Sequence, residues 1–251
     1  MEPNTQNFFT FITNFLTKNE EWKPFYNHGY LSPEKKNLIE YDKEDLLWQN
    51  QCNLYAYLFE SLGHNNLIDK RVLEIGCGLG HGADICRKYF PIRSITAIDL
   101  NQNHINFAKK NFNNITFEVG NALKLMQRSN AFDIILNVES SHLYRHEQEF
   151  YSEAYRVLSP GGYVLIADIY DKDDDTSGQY FLDNNFLLVA RDDLTEGVMN
   201  SCKADIEGFS SRFKGISKVA IDYYVELALD KYREYSAGES FYFSHIFVKK
   251  E

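Results

Sequence analysis

The stretch VLEIGCGLGHG, Val72 to Gly82, sets four glycines into seven residues directly behind an apolar run. Neither a helix nor a strand interior suits that density of glycine. A strand that ends in glycines and gives way to a helix lets a ligand approach the backbone, and the helix N-terminus offers it free N–H groups. The spacing departs from G-x-G-x-x-G, because His81 holds the third position and glycines fall at Gly80 and Gly82. It therefore argues for a ligand smaller than a pyrophosphate. Asp99 ends the next apolar run, and a carboxylate there can accept both hydroxyls of a ribose. The same residue also suits the N-cap of NQNHINFAKK. Glu74, a charge inside the first apolar run, needs a partner, and a ligand ammonium would supply one. His142 and Asp168 each follow a later apolar run. An imidazole there can take a proton and a neighbouring carboxylate can orient it.

These groups need elements to bring them together. Short apolar runs at 71–76, 94–100, 115–120, 132–138 and 162–169 alternate with helical patterns at 81–90, 102–112 and 146–157. Apolar strands separated by helices predict a doubly wound parallel α/β sheet, whose carboxyl-end rim would carry both His142 and Asp168. SPGG at 159–162 reads as a turn into the fifth strand, 185–193 as a sixth, and ESFYFSHIFVKK as a last. Two helices are expected within 195–235, as a lid before that last strand. Upstream, 5–16 and Lys43 to Leu62 have helical spacing, with the aromatic turn PFYNHGYLSP between them. Residues 1–66 are read as an N-terminal helical cover and 67–251 as the main domain.

Composition narrows the function. A net charge of -10 and a pI near 5.2 exclude the electrostatic footprint of a nucleic-acid binder. The aromatic share, 15% with 17 Tyr and 19 Phe, exceeds what a core needs and points to a pocket for something flat or greasy. No signal peptide and no membrane-spanning apolar stretch are read in the chain. Cys52, Cys77, Cys86 and Cys202 are scattered, which suits reduced thiols and the cytoplasm. Glu139, His142 and His146 lie close in sequence, but a loop directly after a strand does not set them as metal ligands, and no metal is expected. DKDDD at 171–175 reads as a solvated turn.

Taken in order, VLEIGCGLG, AIDL, GNALKL, FDIILNVESSH and RVLSPGGYVLIAD resemble the successive motifs of the class I S-adenosylmethionine (SAM)-dependent methyltransferases, over roughly 70–245. The resemblance implies a Rossmann-like, seven-stranded, mainly parallel sheet with the last strand antiparallel. It implies SAM as cofactor and S-adenosylhomocysteine as product. Glu74, Gly76, Cys77, Gly78 and Gly80 would surround the methionine part, Asp99 and Leu100 the ribose, and Asn121 and Ala122 the adenine, with Asn137 nearby. Asn121 stands where the family usually has Asp. The Asn/Asp-Pro-Pro-aromatic loop of enzymes that methylate amines in DNA or protein is absent. NVESSHLY and FYNHGYL are instead similar to small-molecule O-methyltransferases of the phthiotriolone dimycocerosate and rebeccamycin sugar groups. The leading reading is O-methylation of a small hydroxylated metabolite, polyketide-like or phenolic, and a monomer or homodimer is expected. Tyr26, Tyr30, Tyr144 and Tyr170 would meet the acceptor, and His142 with Asp168 would serve as base and orienting acid. N- or C-methylation, and SAM binding without turnover, stay open.

Overall fold

The computed structural model describes residues 24–34, 37–172 and 181–250. A 3-10 turn at Asp45–Trp48 leads into α1 (Gln49–Leu62). Then β1 (Arg71–Ile75), α2 (His81–Tyr89), β2 (Ser94–Asp99), α3 (Gln102–Asn111), β3 (Thr116–Val119) and β4 (Phe132–Val138) alternate. A second 3-10 turn, Ser141–Leu143, separates β4 from α4 (Glu147–Val157) and β5 (Leu158–Asp171). The chain closes with β6 (Phe186–Asp193), α5 (Thr195–Arg212), α6 (Lys218–Ser236) and β7 (Ser240–Lys249).

The seven strands form one sheet in the order β3-β2-β1-β4-β5-β7-β6. β1 to β5 run parallel, and β7 lies antiparallel between β5 and β6. The chain winds outward from β1 to β3 and then crosses back to β4. β1 and β4 are therefore neighbours whose connections leave in opposite directions, and such a switch point opens a crevice at their carboxyl ends. Both strands are mainly apolar because helices cover both faces: Leu73, Ile75, Ile134, Ile135 and Leu136 are fully buried.

Two apolar clusters flank the sheet. One joins α4 to Phe181, Phe186 and Phe247; the other takes in Phe25, Tyr30, α1, α5 and α6. On that second face residues 24–31 are tied down from three sides. The Tyr30 N–H donates to the Asn50 carbonyl (2.7 Å) and the Leu31 N–H to the Gly197 carbonyl (3.0 Å). The Ser201 hydroxyl donates to the His28 carbonyl and the Tyr224 hydroxyl to the Phe25 carbonyl, each at 2.7 Å.

Two expectations are revised and two fall outside. The helix expected from Lys43 starts at Gln49, because the preceding residues form the 3-10 turn. SPGG is an irregularity within β5 and not a turn before it. Leu158 pairs with Phe132 and Tyr163 with Ile134, so the extra residues bulge out at Gly161, whose φ is +70°. The helix read at 5–16 and most of DKDDD lie outside the described residues. Among the described residues no helix is long and apolar enough to cross a membrane.

Candidate active site

A cavity of about 830 Å³ lies at the crevice, with Gly76 and Gly78 from the loop after β1 and Glu139 and His142 from the loop after β4 in its wall. Asp99, Leu100 and His104 close one side, and α6 lays Tyr223, Leu227 and Lys231 across the other.

The glycine loop turns because Gly76 and Gly80 adopt φ of +78° and +88°. The Gly76 N–H and the Cys77 N–H both donate to the Ile98 carbonyl, which fixes the loop against β2. A Cβ on Gly80 would lie 2.8 Å from the Phe117 ring and 2.9 Å from the Ala108 side chain. Gly80→Ala should therefore cost about 1–3 kcal/mol in backbone strain and roughly 1–3 kcal/mol more from overpacking. Denaturant unfolding will read it as a loss of several kcal/mol. A variant within about 0.5 kcal/mol of wild type, the range of an innocuous surface change, would contradict the loop conformation.

Asp99 organises this end. Its Oδ2 accepts from the Gly78 N–H (2.9 Å), and Oδ1 accepts from the Asn101 N–H (2.8 Å) and faces His104 Nδ1 at 3.0 Å. A carboxylate offers about four acceptor sites, so Asp99 fixes the loop and keeps capacity toward the cavity. Asn101, not Asp99, is the N-cap of α3.

At the other end Asp168 is fully buried and accepts four hydrogen bonds. Its donors are the Ser141 hydroxyl (2.5 Å), the His142 N–H (3.1 Å), His142 Nδ1 (2.6 Å) and the Ile169 N–H (2.8 Å). With its acceptor sites filled it orients, and it has no free lone pair with which to act as a base. Nδ1 of His142 carries the proton toward Asp168, which leaves Nε2 as an acceptor. Burial disfavours charge on His142, but the Asp168 carboxylate outweighs it and raises the imidazole above its usual range. Burial likewise pushes Asp168 up, while the His142 charge and the hydrogen bonds pull it lower.

Several expected site residues sit elsewhere. Glu74 is buried and does not line the cavity; Tyr55 and the Ala83 N–H are its partners, its Oε2 has no hydrogen-bond partner among the described residues, and burial pushes the carboxyl up to about 8. Asn137 is a buried brace: its amide donates to the Ile75 carbonyl (2.8 Å) and Tyr144 Oη (3.1 Å), and its oxygen accepts from the Ser141 N–H (3.1 Å). Tyr144 belongs to that brace and packs on Phe150. Tyr30 packs on Tyr57 and against Gly197 in the core. Tyr170 lies between Ile169 and Asp171, which line the cavity, so strand alternation turns it to the opposite face, onto Phe243 and His245. Asn121 is exposed and its oxygen caps the Leu123 N–H; neither it nor Ala122 lines the cavity. Cys77, Leu100 and Tyr26 do, but Tyr26 stands over Gly78 and His104, at the Asp99 end.

The structure adds His28, Glu139 and the α6 stripe to the wall. The stripe had a signal, since Tyr223, Leu227 and Lys231 recur every fourth residue. His28 had none. It pairs with Glu139 across 111 positions of chain.

Residues 73–166 match the family described as a methyltransferase domain. A fatty-acid O-methyltransferase of Mycolicibacterium smegmatis is 36% identical over 146 residues, 57% of this chain and 52% of the relative. A phthiotriol/phenolphthiotriol dimycocerosates methyltransferase of Mycobacterium ulcerans is 40% identical over 108 residues, 42% of this chain and 40% of the relative. The chain thus spans about half or less of the curated relatives it matches. Among solved structures, the cyclase SpnF superposes with TM-score 0.74 at 18% identity, covering 98% of this chain and 95% of that one. Geranyl diphosphate C-methyltransferase from Streptomyces coelicolor, solved with S-adenosyl-L-homocysteine, superposes with TM-score 0.64 at 14% identity, covering 96% and 98%. Residues 73–166 thus resemble a methyltransferase domain, and the chain has the seven-stranded fold of solved methyltransferases.

Proposed function

We propose that this protein transfers the methyl group of SAM to a hydroxyl of a small, largely apolar metabolite. The observation that carries the reading is that one cavity joins the glycine loop and Asp99 to the His142–Asp168 pair. The residues present fit the cofactor. A Cβ on Gly78 would meet only Tyr26, at 3.4 Å, so the loop is open toward the cavity, and Asp99 keeps an acceptor site for a ribose hydroxyl. When bound, SAM supplies a methyl group already activated by its sulfonium. The chain's own work is then to position and to receive a proton. The loop and Asp99 fix one reactant, the apolar wall of Val138, Leu143, Ile169 and Leu227 holds the other, and such positioning accounts for much of the rate. Nε2 of His142 takes the hydroxyl proton, and Asp168 stabilises the imidazolium that results.

Residues 24–31 and 195–236 cover the acceptor as one unit in this reading, which their mutual hydrogen bonds support. Four free, buried cysteines suit a reducing compartment, the cytoplasm.

Binding tests the cofactor. A ligand specific for the folded state stabilises it by about 2.7 kcal/mol at a hundredfold excess over Kd. S-adenosylhomocysteine should raise the melting temperature, and NAD should not. A shift with NAD alone would overturn the reading.

A further inference from the structure

Glu139 follows β4 with φ of +47°, a left-handed conformation that costs a non-glycine residue free energy. Its side chain is only 8% exposed. Oε1 accepts from the His28 N–H at 2.8 Å and from the Tyr242 hydroxyl at 3.0 Å. Oε2 has His28 Nε2 at 3.6 Å, beyond hydrogen-bonding distance, and makes no hydrogen bond among the described residues. The carboxyl lines the cavity, so a group that enters the cavity can reach Oε2. His142 lies three positions on, in the 3-10 turn, and lines the same cavity.

We propose that Glu139 is a specificity-determining residue: Oε2 accepts a hydrogen bond from a second O–H or N–H group of the acceptor, close to the hydroxyl that faces His142. The protein thereby selects diols and amino alcohols over mono-ols. The inference rests on the reading that the methyl acceptor occupies this cavity. It gives the strained backbone a purpose, because the left-handed turn aims Oε2 inward while His28 and Tyr242 hold Oε1.

Glu139→Gln inverts the polarity of the site with little change of shape. The two donors on Oε1 claim the amide carbonyl, which leaves the NH₂ group facing the cavity as a donor where an acceptor was. The test is calorimetric titration of the full chain, loaded with S-adenosylhomocysteine, with 1-decanol, 1,2-decanediol and 2-amino-1-decanol. At a pH above the Glu139 value of about 7, where the carboxyl is charged, the wild type should bind both bifunctional probes about tenfold or more tightly than the mono-ol, as a hydrogen bond to a charged group would give. The tighter of the two identifies the donor as oxygen or nitrogen. In Glu139→Gln the preference for the amino alcohol, whose ammonium can only donate, should collapse toward one, while S-adenosylhomocysteine still binds. Equal affinities in the wild type, or an amino-alcohol preference that survives the substitution, would overturn the proposal. Failure of S-adenosylhomocysteine to bind the wild type would instead overturn the methyltransferase reading beneath it.

Discussion

His142→Ala is expected to lower turnover by about 10²–10⁴-fold, the usual worth of a positioned general base, with cofactor affinity nearly unchanged. Asp168→Asn should act in the same direction. Its amide keeps an acceptor for Nδ1–H but removes the charge that raises the imidazole and leaves four donors sharing a poorer acceptor. The pH profile follows from the sign of each shift. The base works neutral and its pKa is raised, so kcat should climb with pH through a value above 6.5. Stability runs the other way. The histidine's contribution is fully present below its unfolded value of about 6.5 and is lost as pH rises through the raised one. That of Asp168 is present above about 3.8 and lost as pH falls through its depressed value. Glu139, pushed up to about 7 by burial, titrates in the same window, so the assignment rests on the variant: the kcat limb should vanish in His142→Ala. A limb that persists there, or full activity, would reject His142 as the base.

The second large effect is expected at Asp99→Ala. Its carboxylate holds the Gly78 and Asn101 N–H groups and His104 Nδ1, and an unpaired buried donor costs about 1–3 kcal/mol. The substitution should lower S-adenosylhomocysteine affinity about tenfold or more and lower stability as well, because the glycine loop loses its anchor. Asp99→Asn keeps one acceptor oxygen and should fall between. Unchanged affinity by calorimetry would mean that the ribose lies elsewhere.

The residues that could be read from sequence are those whose placement depends on local pattern. Gly76, Asp99 and His142 each follow an apolar run, and in a parallel sheet the ends of such runs share one rim. The run 132–138 predicts a strand, and β4 has those bounds. The tyrosines were not legible in the same way. Tyr170 needed the strand register, one residue of which decides the face, and Tyr144 needed the Asn137 brace. The Glu139–His28 contact spans 111 positions and leaves no periodic trace. SPGG carried a true turn signal, but β4 keeps pairing across it, so tertiary pairing absorbed the turn as a bulge.

Methyl transfer itself is the central claim, and one measurement addresses it directly. The protein is incubated with SAM carrying a deuterated methyl group and an extract of hydroxylated metabolites, and the products are read by mass spectrometry with fragmentation. The account predicts a product that gains one labelled methyl group on oxygen, formed in step with S-adenosylhomocysteine and strongly reduced in His142→Ala. A label found on nitrogen or carbon, or no labelled product from protein that binds S-adenosylhomocysteine, would contradict it.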